Sequence, residues 1–307
     1  MKKELDFIII GAQKSGTTTL FELLKQHPNL YLPPEKELPF FGTKREPNGW
    51  DWYMDEYFHK EKIDEQKLWG TVTPGYMSTE HFAEKLFKVC PHAKLIAILR
   101  DPFERAYSHY QMSVKRGIET RSFPEAAHEL MTQQSFENAR QTPTESNAYF
   151  AWSEYGRILS SYAKYYDKEN ILVLSLNELE HVPKATLDKI CRFLGIGLFT
   201  PDGLGKKFHQ GGTKRKMPLL NKLVKNQALK SLSKKLFDGR AKRTIKRWLY
   251  WIDQWNTKKG SEQKGANEIG LKELKQHFLE DTKLLESEFD FKAPWLQSLK
   301  YWTHQNH

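Results

Sequence analysis

The stretch from Leu5 to Leu24, LDFIIIGAQKSGTTTLFELL, restricts the fold more than any other part of the chain. Leu5 to Ile10 is a short apolar run rich in β-branched Ile, which predicts a buried strand. Gly11 to Thr19 then brings two glycines, one lysine and four hydroxyl residues, followed by Leu20, Phe21, Leu23 and Leu24 at helical spacing until His27-Pro28 ends the run. Strand, Gly-rich turn and helix together make an anion cradle: N–H groups of the turn converge, and the first helical turn adds unsatisfied donors and its positive dipole end. Gln13, Lys14, Ser15, Gly16, Thr17 and Thr18 are the residues that such a cradle offers to a phosphate-like group. Gly11 and Gly16 have the glycine spacing of the nucleotide-hydrolase loop GxxxxGK[ST], but Lys14 precedes the second glycine and Thr17 stands in the usual lysine position. The order is wrong for an ordinary ATP site.

A second motif lies between Ala93 and Gly117, AKLIAILRDPFERAYSHYQMSVKRG. Leu95 to Leu99 predicts another buried strand, and Asp101-Pro102 supplies an N-cap followed by Pro at the first helical position. Arg100 therefore stands at the carboxyl end of a central strand, where ligands of open α/β sheets bind, and Ser108 follows two helical turns later. A phosphate-loop kinase needs a strand-end aspartate to organise Mg²⁺. Here the strand ends in Arg100, and Asp101 is taken by the cap.

Both motifs resemble those of the sulfotransferases that use 3′-phosphoadenosine-5′-phosphosulfate (PAPS). In their 5′-phosphosulfate loop the lysine sits inside the glycine pair, as Lys14 does. The pattern R-D-P-x-x-R-x-x-S from Arg100 to Ser108 resembles their 3′-phosphate motif, whose first arginine and serine hold that phosphate. Arg105 matches too, with a salt bridge within its helix as the expected role. The resemblance implies PAPS as cosubstrate, PAP (adenosine 3′,5′-bisphosphate) as product, no bridging metal, and a P-loop-like nucleotide-binding sulfotransferase fold.

The loop Pro33 to Phe41, PPEKELPFF, ends on two aromatic residues that should pin it and hold an adjacent carboxylate partly out of water, raising its basicity. It resembles the glycan and heparan-type segment in which a glutamate just ahead of paired phenylalanines is the general base. That residue here is Glu37, which with Lys14 completes the catalytic pair that the resemblance implies. Pro39 replaces a histidine found in many relatives. The segment WGTVTPGYM, residues 69 to 77, matches a Thr-Pro-x-Tyr element of the same group, with Val72 where some members have lysine. The aromatic stretch NGWDWYMDEYF, residues 48 to 58, suits packing of a surface helix more than sugar stacking.

Further along, residues 119 to 150 predict a helix and loop, Trp152 to Tyr166 a helix containing SEYG, Ile171 to Leu176 a strand and Pro183 to Leu194 a helix. Alternation of this kind predicts an α/β fold with a parallel central sheet flanked by helices. FHQGGTKRKMP, residues 208 to 218, offers Gly212, Thr213, Lys214 and Arg215 as a flap over the nucleotide, again by resemblance. The expected organisation is one domain over 1–307: an α/β core at 5–200, the flap at 206–218 and a basic helical extension at 219–307.

The formal net charge of +10 calls for an anionic partner or a solvated basic face, and much of the excess falls between Lys206 and Arg247. Basic residues there alternate with Leu, Ile, Phe and Trp at helical spacing, and no nucleic-acid-binding signature accompanies them, so a nucleic-acid partner is not expected. The acceptor has no code in the sequence; a glycan leads by resemblance, and hydroxyl or amine stays open. Two distant cysteines, Cys90 and Cys191, read as buried thiols. Apolar runs stay well short of the roughly 18 to 20 residues of a membrane span, and Met-Lys-Lys-Glu leads straight into the first strand, so a cytoplasmic enzyme is expected. The rival readings are a kinase-like phosphotransferase and a non-catalytic protein that binds nucleic acid or other anions.

Overall fold

A computed structural model of the chain describes residues 3–59, 66–205, 213–215, 257–259 and 272–299. Five parallel strands form the main sheet in the order β2-β3-β1-β4-β5. They are β1 (Phe7–Gly11), β2 (Leu30–Tyr31), β3 (Leu68–Val72), β4 (Lys94–Leu99) and β5 (Ile171–Ser175). The helices are α1 (Thr17–Leu24), α2 (Trp50–Met54), α3 (His81–Val89), α4 (Pro102–Arg116), α5 (Phe123–Leu130), α6 (Gln133–Gln141), α7 (Tyr155–Tyr162), α8 (Leu176–His181), α9 (Pro183–Leu194) and α10 (Lys272–Glu288).

The strands are apolar on both sides because both faces of the sheet are covered, as parallel sheets require. Phe7, Ile9, Ile96, Ile98 and Leu174 point to the face covered by α1 and α9, while Ile8, Ile10, Leu95, Ala97 and Leu99 point to the opposite layer that includes α3, α4 and α7. Register depends on one small residue. Phe7 pairs with Gly70, where a Cβ would lie only 2.3 Å from the Phe7 ring.

This topology places the site. The chain leaving β1 enters α1 on one face, and the chain leaving its neighbour β4 enters α4 on the other. The two loops part at the carboxyl ends of these strands and open a crevice, the usual ligand position in open α/β sheets.

Two compact units are present: residues 1–209 with 268–307, and residues 210–267. Helix α10 belongs to the first unit. A long-range cap joins it to α7: Asp281 of α10 accepts hydrogen bonds from the Gly156 and Arg157 N–H groups at the start of α7, both at 2.9 Å. Gly156 also admits the α10 backbone, since a Cβ there would lie 2.3 Å from the Asp281 carbonyl oxygen. In the second unit, β6 (Thr213–Arg215) pairs antiparallel with β7 (Thr257–Lys259). Most of the expected flap, including Gly212, and the basic helical stretch lie outside the described residues; for Thr213, Lys214 and Arg215 the structure gives the strand only.

Local expectations met the structure with small changes at the ends. The predicted strand 171–176 stops at Ser175, whose hydroxyl caps α8 by accepting from Glu178 N–H at 3.0 Å. Cys90 and Cys191 are buried free thiols. Tyr53, Met54 and Phe58 are buried, with Trp50 stacked on Tyr53 at 4.8 Å, so the 48–58 aromatics are core packing.

Candidate active site

The loop between β1 and α1 is held down at its start, where Ala12 N–H donates to the Ile98 carbonyl of β4 at 2.8 Å. Lys14 and Gly16 then adopt left-handed backbone, φ +73° and +89°, which curls the loop back toward α1. Such turns gather successive N–H groups into a concave anion site. Gly16 has no substitute on two counts, since its φ favours glycine and a Cβ would lie 2.6 Å from Leu176 Cδ1.

Electrostatics give the loop its character. Burial pulls Lys14 down to about 8, and the charges of Lys115, Arg116, Arg100 and Arg105 push the same way. All four come from β4's end and from α4, so the crevice concentrates positive charge around one lysine. Ser15 Oγ and Gln13 Oε1 are buried and have no hydrogen-bond partner among the described residues. Concentrated cations and the Ser15 hydroxyl beside a helix N-terminus fit a polyanion such as a phosphosulfate, whereas Gln13 Oε1 is an acceptor and has no proton to offer it. Thr17 is buried at the start of α1 and Thr18 half-buried beside it.

Arg100 stands where the sequence predicts, at the end of β4, and Asp101 caps α4 by accepting from Glu104 N–H at 2.9 Å. The Arg100 side chain lies on Glu104, and Ser108 is half-buried on the same helix. The expected helix salt bridge of Arg105 is not formed. Arg105 is wholly buried and donates from Nε to Ser153 Oγ at 2.6 Å and from Nη2 to the Tyr149 carbonyl. Two neutral oxygens therefore serve Nε and Nη2, while Nη1 is buried with no hydrogen-bond partner among the described residues.

Glu37 needs a correction of another kind. Phe40 and Phe41 are buried as predicted, and the loop backbone is fastened three times: Glu37 N–H to Val72 O at 3.1 Å, Phe40 N–H to Tyr76 Oη at 3.2 Å, and Tyr53 Oη to Leu38 O at 2.9 Å. Because Val72 is paired with Ile9, this brings Glu37 to the strand end beside the β1 loop. Its carboxylate, however, is 55% exposed and takes a 2.6 Å hydrogen bond from Lys36, so it is not withdrawn from water. Pinning the backbone does not bury the side chain, and the largely buried Lys36 reaches out to a carboxylate that keeps its hydration.

Sequence reasoning missed Lys115, Arg116, Glu145 and Trp152. The spacing from Ser108 to Lys115, two turns along one helix face, was a usable signal; Glu145 and Trp152 had none. Glu145 lies 3.1 Å from Arg116 Nη1 and 3.4 Å from His109 Nε2. His109 is buried and stacked on Trp152, with ring centres 4.8 Å apart, and burial holds it at about 4, a neutral imidazole.

The sulfotransferase domain family matches residues 4–235. The chain belongs to that family. A solved sulfotransferase from Alicyclobacillus acidocaldarius superposes with a TM-score of 0.54 at 28% identity, covering 65% of this chain and 84% of the other, so the fold is the sulfotransferase fold. The chain is 39% identical over 110 residues to the membrane-associated sulfotransferase kil1 of Dictyostelium discoideum, covering 36% of this chain and 23% of that protein. It is 29% identical over 202 residues to the human bifunctional heparan sulfate N-deacetylase/N-sulfotransferase 2, covering 63% of this chain and 22% of that protein. The chain thus spans less than a quarter of the length of these two curated relatives. PAPS is the sulfuryl donor of the family. Among the described residues, no helix is long and apolar enough to cross a membrane.

Proposed function

We propose that this protein transfers the sulfuryl group of PAPS to a hydroxyl or amine of a glycan-type acceptor and releases PAP. The observation that carries the reading is the β1–α1 loop, where Lys14 and Gly16 take left-handed backbone and the charges of Lys115, Arg116, Arg100 and Arg105 all act on Lys14. The glycan acceptor rests on the heparan sulfate named for one relative. Lys14, Gln13, Ser15, Gly16, Thr17 and Thr18 bind the 5′-phosphosulfate, and Arg100 and Ser108 bind the 3′-phosphate. Glu37 is the general base. The acceptor atom attacks sulfur in line as the bond from sulfur to the bridging phosphate oxygen breaks. The acceptor proton passes to Glu37, and the electron pair leaves with the phosphate of PAP, where Lys14 and the loop N–H groups stabilise it. A cytoplasmic location completes the reading.

Radiosulfate transfer from labelled PAPS, screened across polysaccharides, oligosaccharides, lipid alcohols and small metabolites, tests the proposal. Labelled glycan with release of PAP is the expected result. Transfer confined to lipids or small metabolites would remove the glycan, and transfer to no acceptor would remove the activity.

A further inference from the structure

A small cavity adjoins the β1 loop, lined by Gln13, Pro74, Gly75, Met77, Ser78 and Trp152. Its volume is ≈ 10 Å³, room for one water-sized group and no more. Two of its lining side chains carry buried polar atoms that find no hydrogen-bond partner among the described residues, Gln13 Oε1 and Trp152 Nε1. One is an acceptor. The other is a donor only.

Both groups are held in place. Trp152 stacks on His109 with the ring planes 11° apart. The Gln13 side chain lies close enough to Glu145 to help hold that carboxyl below its usual range, after His109 and against burial. The opposite wall is equally firm, because Met77 packs so closely on Gly11 that a Cβ there would lie 2.2 Å from the Met77 sulfur.

We propose that this cavity seats one hydroxyl of a sugar acceptor, which accepts from the Trp152 indole N–H and donates to Gln13 Oε1. The inference rests on the sulfotransferase reading and deepens it. Only a group that both donates and accepts satisfies the two atoms. A carbonyl, carboxylate or sulfate has no proton for Gln13, an ammonium has no lone pair for Trp152, and a methyl group leaves both atoms unpaired. Gln13 directly precedes Lys14, so the seated hydroxyl lies beside the phosphosulfate loop, and the Gln13–Trp152 pair acts as a specificity element for polyhydroxylated acceptors.

The test uses PAP-saturated protein and three unsulfated probes: cellotetraose, a chitosan tetramer and a glucuronate–N-acetylglucosamine tetramer. The Trp152 indole N–H resonance is identified as the one missing from the Trp152→Phe variant, which keeps a ring against His109. A saturable shift of that resonance with at least one probe is expected. For that probe, Trp152→Phe should raise KM about tenfold in radiosulfate transfer, the value of one neutral hydrogen bond, with kcat and the PAP-induced rise in Tm unchanged. No shift with any probe, or an unchanged KM in Trp152→Phe, means that the cavity holds a trapped water only and overturns the proposal while leaving PAP binding intact. Absence of a PAP-induced Tm rise in the wild type overturns the sulfotransferase reading and this inference together.

Discussion

Arg100 rests on Glu104: its Nε and Nη2 both donate to one carboxylate oxygen, Oε2, at 2.9 and 2.7 Å. A 3′-phosphate bound by Arg100 has to displace this carboxylate or share the guanidinium with it. The Glu104 side chain is 60% exposed, so the pair is weak. Exposed pairs contribute about 0 to 1 kcal/mol. Glu104→Gln should therefore bind PAP two- to fivefold tighter, roughly that energy expressed as affinity, with ADP affinity unchanged. Titration calorimetry reads both. Weaker PAP binding in the variant would mean that Glu104 orients Arg100 and does not compete with the ligand.

Lys14 makes a pH prediction with a defined sign. In the free enzyme, burial and the neighbouring cations hold it at about 8, so its charge is lost as pH rises through that value. Bound phosphosulfate adds negative charge beside it and lifts it again. The upper limb of kcat/KM for PAPS should fall above about pH 8, while kcat, which reports the bound complex, stays level to higher pH. Lys14→Ala should lose roughly 10²- to 10³-fold in turnover, as for removal of an oxyanion donor, and should also lose that limb. Coincident limbs for kcat and kcat/KM would place Lys14 away from the transferred group.

What was legible in the sequence was local. Lys14 inside its glycine pair, Arg100 at a strand end and the Asp101 cap all depend on residues within one turn of each other, where spacing alone fixes the geometry. Arg105 was misassigned because its partners, Ser153 and Tyr149, lie 48 and 44 residues away. Lys115 and Arg116 act on Lys14 only because β1 and β4 are neighbours in the sheet. The burial of Phe40 and Phe41 was legible as well, whereas the exposure of Glu37 was not, since its side chain turns to Lys36 while its N–H is held by the Val72 carbonyl. Periodicity reports which face is apolar, not which distant group arrives there.

Glu37 and Glu35 are close alternatives in one exposed loop, and kinetics separates them. A general base acts in the transition state, so Glu37→Gln should lower kcat by about 10²- to 10⁴-fold with little change in PAP affinity. Glu35→Gln should stay active. The opposite pattern would shift the catalytic register of the loop by two residues.

Glu154 anchors the layer behind the site. It is 1% exposed and takes hydrogen bonds from Arg140 at 3.0 Å, Arg157 at 2.8 Å and His277 at 2.7 Å. Burial alone raises its carboxyl, but the bonds from His277 and Arg140 and the arginine charges outweigh it and hold the group at about 2. A lowered carboxyl contributes stability above its unfolded value of 4.5, and that stability is lost as pH falls from there toward about 2. Glu154→Gln should destabilise the fold by roughly 3 to 5 kcal/mol at pH 7, the cost of breaking a buried ion pair. Its denaturation midpoint should also change less than the wild type's between pH 5 and 3. A wild-type-like midpoint in the variant would show that the cluster is dispensable.

Nucleotide choice separates the sulfotransferase reading from a kinase-like one. Arg100 and Ser108 are proposed to hold a 3′-phosphate that ADP and ATP lack, so PAP should raise Tm at concentrations where ADP does little, and without added Mg²⁺. A charge-assisted hydrogen bond contributes about 1.5 to 3 kcal/mol, so Arg100→Ala should weaken PAP tenfold or more and leave the weak ADP affinity nearly unchanged. The double variant Arg100→Ala with Ser108→Ala should no longer distinguish the two nucleotides. Because Arg105 is buried and bonded to Ser153 and Tyr149, its replacement should lower Tm without this selective loss, which makes Arg105→Lys the control for damage to α4. Equal stabilisation of the wild type by PAP and ADP, or a strict Mg²⁺ requirement, would falsify the assignment of Arg100 and Ser108 to the 3′-phosphate.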